Sequence, residues 1–586
     1  MTAQTPIIPQ QGGSGGGGGA LLAVERLSVD FTLRTHILHA VRDVSFTLHK
    51  GRTLCLVGES GSGKSVTARA LMRLVEPPGQ IVAGKITLDI DGRQIDVTAE
   101  RDTSRQMRSI RGRRIGLIFQ EPMSSLSPVH TIGSQIIEAL RLHRPLTPRQ
   151  ARDETVRLLA QVEIPHPDKM IDRYTFEFSG GMRQRAMIAM ALACNPDILI
   201  ADEPTTALDV TTQAEILDLI KRLQLERGMA MLLITHDMGV VAETADDVAV
   251  MRFGRIVEAG SVDHIFYNAR HPYTQRLLSS TLKLEGGAER VSGAPRVETP
   301  PAQPILSLRH LSKGFGAGGR WFSKVGSFVI KAVDDVSLDL LPGENLGIVG
   351  ESGSGKTTLG RLVLRTVEPS SGNVLYRDRN GQERDVTTMS KADLRAYHQD
   401  VRLVFQDPFA SLNPRMTVRE IIAEPLTIAG RAPGKVLGKR VAELMEMVGL
   451  DPAAMERYPH AFSGGQRQRI GIARALALDP RVIIADEATS ALDVSIRSQI
   501  LDLLLELQQH LDLSFIFISH DISVVRYFCD RVAVMHRGKL VELGTAEEIC
   551  ATPREDYTKM LISAVPNPDP RNKRMMHRVR MPGDQN

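Results

Sequence analysis

Short apolar runs alternate with amphipathic segments along most of the chain. TLCLV at 53–57, ILIADE at 198–203 and VIIADE at 482–487 are continuous apolar stretches, and the last two end in acidic residues. Such runs are typical of strands buried on both faces of a mostly parallel sheet, with functional groups at the carboxyl end. AEILDLIKRLQ at 214–224 and SQILDLLLELQ at 498–508 instead carry apolar residues at helical spacing. The alternation predicts an α/β fold.

This patterning occurs twice, because two long motifs return in the second half of the chain. VGESGSGKS at 57–65 recurs as VGESGSGKT at 349–357, and FSGGMRQR at 178–185 recurs as FSGGQRQR at 462–469. Equivalent positions are 292 residues apart at the lysines (356 minus 64) and 284 apart at the serines (463 minus 179), and later motifs keep the spacing of 284. The repeat predicts two tandem domains.

The chain length supports the same division. At 586 residues the chain is long for one domain, since single hydrophobic cores stop growing near about 250 to 300 residues. The segment QGGSGGGGGA near the start has no side chains able to form a core, and a Pro/Gly-rich stretch interrupts the patterning in the middle. The predicted organisation is a flexible leader (1–20), a first domain (21–285), a linker (286–304), a second domain (305–566) and a tail (567–586).

Charge and cysteine content narrow the function classes. Lys and Arg total 72 against 68 Asp and Glu, so the formal charge of +4 does not favour a nucleic-acid partner. Cys55, Cys194, Cys529 and Cys550 form no CxxC pair, which argues against a zinc or iron–sulfur site and favours reduced thiols in a cytoplasmic compartment. No apolar run reaches the roughly 18 residues of a membrane span, so we expect other subunits to cross any membrane involved.

The first repeated motif matches GxxxxGK[ST] directly after an apolar strand in both halves. Its glycines let backbone N–H groups turn inward around phosphates, the following helix start adds positive potential, and the lysine reaches the outer phosphates. The hydroxyl that ends the motif suits Mg²⁺. We therefore predict bound ATP and Mg²⁺ rather than a plain glycine-rich turn. The predicted phosphate-binding residues are Gly58, Glu59, Ser60, Gly61, Ser62, Gly63, Lys64, Ser65 and Val66, and Gly350, Glu351, Ser352, Gly353, Ser354, Gly355, Lys356, Thr357 and Thr358.

Paired carboxylates close the two acidic strands and are predicted to lie beside the phosphate loops. Asp202 and Asp486 suit contact with Mg²⁺, together with the hydroxyls of Ser65 and Thr357. The adjacent Glu203 and Glu487 suit polarising the attacking water as general bases, since in-line phosphoryl transfer needs a positioned nucleophile. A solvated acidic turn is the alternative interpretation.

The FSGGMRQR and FSGGQRQR segments resemble the signature of the ATP-binding-cassette (ABC) transporter family. The resemblance implies two domains, each with a mostly parallel core sheet, an antiparallel β subdomain and a helical subdomain, that close face to face on ATP. Each domain then completes the other's site: Ser463, Gly464 and Gly465 serve the Lys64 site, and Ser179, Gly180 and Gly181 serve the Lys356 site. A serine and two glycines at a helix start offer a hydroxyl and N–H groups to a γ-phosphate, although a flexible turn is the alternative.

The resemblance also implies roles for residues that follow other strands. His236 and His520 would contact the γ-phosphate, although a lone histidine there is more often structural. Gln120 and Gln406 would touch Mg²⁺ or water and move with membrane subunits.

The resemblance also implies roles for two further pairs of residues. Asp209 and Asp493, in TALD and SALD, match the loop that links the two ATP sites. Phe31 and Phe315 are candidates to stack on adenine, against the commoner role of phenylalanine in a core.

Three longer segments indicate a particular group within this family. QEPMSSLSPVHTIG at 120–133, QDPFASLNPRMTV at 406–418 and NARHPYTQRLL at 268–278 resemble the ATPases of dipeptide, oligopeptide and glutathione importers. The implied protein is an ATPase at the cytoplasmic face of the inner membrane, with two integral membrane permease subunits and an extracytoplasmic solute-binding protein as partners. The alternative is a soluble tandem ABC ATPase acting on ribosomes or DNA. A purely nucleotide-binding module conflicts with the presence of both Glu203 and Glu487.

Overall fold

The computed structural model describes most of the chain, which divides into two units. The described residues are 20–121, 125–206, 208–285, 303–316, 329–407, 409–431, 435–490, 492–575 and 578–579. Of these residues, those up to Thr281 and those from Ser563 onward form the first unit, and those from Leu282 to Ile562 form the second. The predicted leader (1–20) and linker (286–304) lie almost wholly outside the described residues, and the predicted domain boundaries stay predictions.

The first unit contains two sheets. Its strands are β1 (Ala20–Thr32), β2 (Ile37–His49), β3 (Thr53–Val57), β4 (Gly79–Ile90), β5 (Arg93–Asp96), β6 (Ile115–Ile118), β7 (Ile198–Asp202), β8 (Ala230–Thr235), β9 (Asp247–Arg252) and β10 (Arg255–Ser261). An antiparallel sheet has the order β2-β1-β4-β5. The core sheet has the order β10-β9-β3-β8-β7-β6 and is parallel except for β10.

The helices of the first unit connect and cover these strands. They are α1 (Lys64–Leu71), α2 (Arg105–Arg113), α3 (Ile132–His143), α4 (Pro148–Gln161), α5 (Pro167–Met170), α6 (Gly180–Leu192), α7 (Val210–Arg227), α8 (Met238–Thr244), α9 (Val262–Asn268) and α10 (Pro272–Glu285). Helices α3, α4 and α6 pack on one another and form a helical layer. The unit boundary falls within α10, after Thr281.

Burial explains why the central strands are uninterrupted apolar runs. Every residue of β3, β7 and β8 is buried. One apolar cluster fills the space between the core sheet and the antiparallel sheet, and a second lies between the core sheet and the helices. Because both faces are covered, alternation with polar residues would place polar groups in a core.

The second unit repeats this architecture. Its strands are β11 (Leu306–Gly316), β12 (Val329–Leu340), β13 (Asn345–Val349), β14 (Ser371–Arg377), β15 (Glu383–Asp385), β16 (Val401–Val404), β17 (Val482–Asp486), β18 (Ser514–Ile518), β19 (Arg531–His536) and β20 (Lys539–Thr545). The antiparallel sheet has the order β12-β11-β14-β15, and the core sheet has the order β16-β17-β18-β13-β19-β20. Its helices are α11 (Lys356–Val363), α12 (Lys391–Asp400), α13 (Val418–Ile428), α14 (Lys435–Met447), α15 (Gly464–Leu476), α16 (Val494–Leu511), α17 (Ile522–Phe528), α18 (Ala546–Ala551) and α19 (Asp556–Ser563).

The structure confirms the predicted tandem α/β fold. The acidic runs form β7 and β17, and the segments at 214–224 and 498–508 lie within α7 and α16. Each unit combines a mostly parallel core sheet with an antiparallel sheet, as predicted. Among the described residues, none of the helices has both the length and the apolar character that a membrane crossing requires.

Candidate nucleotide-binding sites

Three strand ends meet at one edge of the core sheet in the first unit. Val57 lies opposite Thr235, and Asp202 lies opposite Ile234, so β3, β7 and β8 end side by side. The residues that follow them are Gly58, Glu203 and His236. Ligands of open α/β sheets bind at this carboxyl edge, which places the predicted phosphate loop, base and histidine together.

The phosphate loop wraps around its own lysine. Lys64 Nζ donates to the carbonyl oxygens of Gly58 at 2.7 Å and Glu59 at 3.0 Å. Gly58 has φ 151°, and a Cβ there would lie 2.2 Å from the Met251 carbonyl oxygen, so only glycine fits the start of the loop. Lys64 is the first residue of α1, which places its ammonium beside a helix N-terminus, where an anion is stabilised.

The second phosphate loop has the same construction. Lys356 Nζ donates to the carbonyl oxygens of Gly350 at 2.7 Å and Glu351 at 2.8 Å. Gly350 has φ 147°, and its added Cβ would lie 2.1 Å from the Met535 carbonyl oxygen. The remaining predicted phosphate-binding residues lie in the loop or the first turn of the following helix: Ser60, Gly61, Ser62, Gly63, Ser65 and Val66, and Ser352, Gly353, Ser354, Gly355, Thr357 and Thr358.

The predicted Mg²⁺ residues contact each other directly in both units. Ser65 Oγ donates to Asp202 Oδ1 at 3.0 Å, and Thr357 Oγ1 donates to Asp486 Oδ1 at 3.2 Å. Burial raises the pKa of Asp202, and the neighbouring Glu203 charge raises it further, against the lowering effect of the Ser65 hydrogen bond. Burial likewise raises the pKa of Asp486. Both aspartates are therefore in surroundings where a bound cation would favour the ionised form.

Three side chains form hydrogen bonds with the Glu203 carboxylate. Its carboxylate accepts from Gln120 Nε2 at 2.9 Å and from Thr206 Oγ1 at 2.9 Å, and it lies 3.2 Å from His236 Nδ1. Burial opposes ionisation, but the hydrogen bond and charge of His236, with Thr206 and the Lys64 ammonium, hold the pKa of Glu203 at about 2. The group is thus an ionised, hydrogen-bond-accepting carboxylate near neutral pH.

Glu487 has the same two principal partners but a different third neighbour. It accepts from Gln406 Nε2 at 2.7 Å and lies 3.3 Å from His520 Nδ1. Burial again opposes ionisation, and His520 with the Lys356 charge lowers the pKa of Glu487. Ser490, which is equivalent to Thr206, donates to the Glu487 backbone carbonyl at 3.0 Å instead of to the carboxylate.

The signature residues begin a helix in each unit. Ser179 caps α6, and its Oγ accepts from the Met182 N–H at 3.3 Å. Ser463 caps α15 in the same way through the Gln466 N–H at 3.4 Å. Both serines are exposed on their own unit. The glycines that follow them, Gly180 and Gly181 and their equivalents Gly464 and Gly465, form the first turn of each helix.

Comparison with known proteins identifies the family. The ABC transporter family matches residues 41–206 and 333–490, which is more than half of the chain. The chain belongs to the ABC transporter family. The C-terminal region of oligopeptide/dipeptide transporters matches residues 257–304 and 541–585, once after each ABC domain. The protein is therefore an ABC ATPase with two nucleotide-binding units.

Curated relatives match the chain over nearly its whole length. The glutathione import ATP-binding proteins GsiA of Escherichia coli (strain K12) and Shigella flexneri are 49% identical over 574 residues, which covers 94% of this chain and 91% of each relative. A solved dimeric structure of the ATP-binding cassette MJ0796 bound to ADP and Pi is 30% identical, with a TM-score of 0.36, and covers 41% of this chain and 99% of that chain.

The two predicted adenine-stacking residues of this ABC ATPase differ in surroundings. Phe31 is half-buried and packs against the apolar cluster beneath the antiparallel sheet. Phe315 is 47% exposed, and the Lys313 ammonium lies 5.3 Å from its ring centroid. Asp209 caps α7 by accepting from the Thr212 N–H at 3.0 Å, and Asp493 occupies the equivalent position before α16.

Sequence reasoning missed a tyrosine that contacts each phosphate loop. The Glu59 N–H donates to Tyr273 Oη at 3.1 Å, and the Glu351 N–H donates to Tyr557 Oη at 3.1 Å. Each ring lies against a residue of the neighbouring strand end: the Arg252 guanidinium lies 4.8 Å from the Tyr273 centroid, and the His536 ring stacks on Tyr557 at 4.0 Å. The signal was present, because the dipeptide YT recurs at the spacing of 284 residues.

Proposed function

We propose that this ABC ATPase hydrolyses ATP at two composite sites to drive uptake of a peptide or peptide-like solute, such as a dipeptide, an oligopeptide or glutathione. The observation that carries the catalytic part is the carboxylate after each acidic strand, held by a glutamine and a histidine in both units. The match to the oligopeptide/dipeptide transporter region and the relatives named for glutathione import support the solute class.

The residues around each phosphate loop fit ATP with Mg²⁺. The hydroxyl and carboxylate oxygens of Ser65 and Asp202 lie together, and hard cations such as Mg²⁺ prefer oxygen ligands. Ser65, Asp202 and Gln120 would hold the ion in the first unit, and Thr357, Asp486 and Gln406 would hold it in the second. When bound, Mg²⁺ neutralises charge on the phosphate oxygens.

Glu203 and Glu487 act as general bases in the proposed reaction. The carboxylate takes a proton from water as the water oxygen bonds to the γ-phosphorus, and the bond from the γ-phosphorus to the bridging oxygen breaks with its electron pair remaining on ADP. Gln120 and His236 orient the Glu203 carboxylate, and Lys64 stabilises charge on the outer phosphate oxygens. Gln406, His520 and Lys356 do the same for Glu487.

Each γ-phosphate is proposed to contact the signature serine of the other unit. Ser179 and Ser463 are exposed helix caps followed by glycines, so a hydroxyl and main-chain N–H groups are accessible to an anion. Closure on ATP would then transmit force to two integral membrane permease subunits, which receive solute from an extracytoplasmic binding protein. The ATPase would sit peripherally at the cytoplasmic face of the inner membrane.

Replacing both bases tests the catalytic assignment. The double variant Glu203→Gln, Glu487→Gln should bind ATP normally but turn over about 10²- to 10⁴-fold more slowly, since the amide cannot take the proton. Equilibrium binding of labelled ATP and phosphate release measure the two properties. Glu25→Gln, an exposed position in β1, is the matched control. Undiminished turnover in the double variant would refute the assignment.

Reconstitution tests the importer assignment. The ATPase is assembled in proteoliposomes with its permease subunits and binding protein, and glutathione, a dipeptide or an oligopeptide is added. One of these solutes should raise ATP turnover and accumulate in an ATP-dependent manner. Stimulation by ribosomes or DNA, with no response to any of the solutes, would favour the soluble alternative instead.

A further inference from the structure

The last described segment of the chain belongs to the first unit although it follows the second in sequence. We call residues 563–575 and 578–579 the C-terminal strap. Ala564 is 0% and Met575 2% exposed, and both are members of the apolar cluster that covers the helical face of the first core sheet. Val565 packs against the same cluster. The strap is thus part of the core of the first unit.

The strap is anchored on α8, the helix that begins two residues after His236. Glu243 Oε1 accepts from the main-chain N–H groups of Arg574 at 2.8 Å, Asn567 at 3.2 Å and Met575 at 3.4 Å. Glu243 is only 6% exposed, so these bonds form in low-dielectric surroundings. Three N–H groups directed at one buried carboxylate oxygen hold the strap and the helix together.

A glycine lets the strap approach the start of the same helix closely. A Cβ added at Gly239 would lie 3.0 Å from Pro566 Cβ and 3.3 Å from the Pro566 carbonyl oxygen. Gly239 also donates its N–H to Asp237 Oδ1 at 2.8 Å, within the N-terminal cap that follows His236. The strap therefore touches the helix both at its capped start and at Glu243.

A second anchor lies on α7. Arg578 forms an ion pair with Asp218, and the two side chains are 7% and 20% exposed. Helix α7 begins at the cap formed by Asp209, in the loop predicted to link the two ATP sites. Nearer the start of the strap, Tyr267 donates to Asp569, and the Arg571 guanidinium lies 4.1 Å from the Tyr267 ring centroid.

The second unit fills the equivalent positions differently. The residue 284 positions after Glu243 is Tyr527, and the residue 284 positions after Asp218 is Asp502. Tyr527 donates to Asp502, which also accepts from the Lys283 ammonium at 2.7 and 2.8 Å. A side-chain network thus occupies the place where the first unit has a carboxylate that binds main chain.

We propose that the C-terminal strap positions His236 at the first ATP site, with Glu243 as the positioning residue. This inference rests on the proposed function, because it takes the site around Lys64 and Glu203 as a site of hydrolysis. Displacing α8 would break the bonds of Glu243 to the strap, so the strap fixes where the helix holds His236 against Glu203. The strap also continues directly from α19, whose Tyr557 contacts the second phosphate loop. It is a covalent connection between elements of the two ATP sites.

The test separates the two sites within the full chain. A protease site is introduced within 286–302. Photoreactive azido-ATP is trapped in the protein with vanadate and cross-linked by light. After cleavage, the amount of label bound to each half is measured. Glu243→Leu removes the acceptor of three main-chain hydrogen bonds. The amount of label in the first half should therefore fall by about three- to tenfold, and the amount in the second half should not change. Glu243→Gln keeps an acceptor oxygen and should restore the label. Tyr527→Phe is the matched change in the second unit and should leave the first half unaffected.

Hydrogen exchange gives a readout that does not depend on activity. Amides 238–244 should exchange faster in Glu243→Leu and in Arg578→Ala, which removes the ion pair with Asp218, but not in Glu243→Gln. An equal fall in both halves, or unchanged exchange at 238–244, would overturn the inference. Failure of the wild-type protein to trap nucleotide in either half would contradict the proposed function, and the exchange result would still decide the role of the strap.

Discussion

The two proposed ATP sites agree in the contacts of the proposed catalytic and Mg²⁺-binding residues and differ in the residues just behind them. The hydroxyl-to-aspartate distance is 3.0 Å in the first site and 3.2 Å in the second, and the glutamine-to-glutamate distance is 2.9 Å and 2.7 Å. Thr206, however, donates to the Glu203 carboxylate, whereas Ser490 donates to the Glu487 backbone. Pro204 in the first site is replaced by Ala488 in the second.

The comparison shows that the two proposed bases share the same backbone turn, although the residues behind them differ. Glu203 and Glu487 both have φ 47°, although only the first is followed by proline. Each glutamate donates its main-chain N–H to the adjacent strand end, at Ile234 or Ile518, at 2.9 Å. The carboxylate is therefore placed by main-chain bonds common to both units, and its electrostatic surroundings are free to differ.

Replacing the lysine of either phosphate loop should lower ATP affinity by the same factor at the two sites. Lys64 and Lys356 are each 5% exposed, and the ammonium of each donates to two loop carbonyls. Lys64→Ala and Lys356→Ala remove these ammonium groups. Because a buried, hydrogen-bonded charge is lost, ATP affinity at the altered site should fall by about 30- to 1,000-fold. Labelling of each half by azido-ATP measures the effect, with Lys50→Ala as an exposed control. A loss at only one site would show that the two loops are not equivalent.

Removing the tyrosine hydroxyls should have a smaller effect that is again similar in both units. Tyr273→Phe and Tyr557→Phe each delete the acceptor for one phosphate-loop N–H and keep the stacked ring. One hydrogen bond corresponds to about a two- to tenfold loss of ATP affinity at that site. Tyr174→Phe, a change at an exposed tyrosine, is the control. Normal affinity in both variants would mean that the hydroxyl does not order the loop.

Replacing Thr206, which donates to the glutamate carboxylate only in the first site, should have the smallest effect, and only in the first unit. Glu203 has a folded pKa of about 2 against an ordinary value of 4.5, so its stabilising contribution is present above pH 4.5 and is lost as the pH falls toward 2. Thr206→Val removes a donor to the charged form, which raises that pKa and should move acid unfolding of the first unit upward by a few tenths of a pH unit.

Ser490→Ala provides the comparison, because Ser490 donates to a carbonyl oxygen that does not titrate. Acid unfolding followed by hydrogen exchange in each unit measures both midpoints. We expect no shift in the second unit. A shift of equal size in both units would contradict the assigned difference between Thr206 and Ser490.

Most residues of the site could be predicted from the sequence, because they follow the predicted strands. Glu203 and His236 are the first residues after β7 and β8, and the loop that leads to Lys64 begins directly after β3, so predicting the strands also located these three residues in the fold. The Tyr273 contact with the phosphate loop was not predicted, since the two groups are 214 residues apart. The strap contact with Glu243 spans 324 residues and leaves no periodic signal.

The sequence by itself determined that there are two α/β units, where their phosphate loops begin and which acids close the adjacent strands. These features are local: a buried parallel strand must be apolar throughout, and a phosphate loop must have glycines where a Cβ would collide with main chain. Only the tertiary structure decided that the last segment of the chain joins the first unit and that the two glutamates have different third neighbours. Such pairings depend on which distant surfaces pack together, and that is a property of the whole fold rather than of any segment of it.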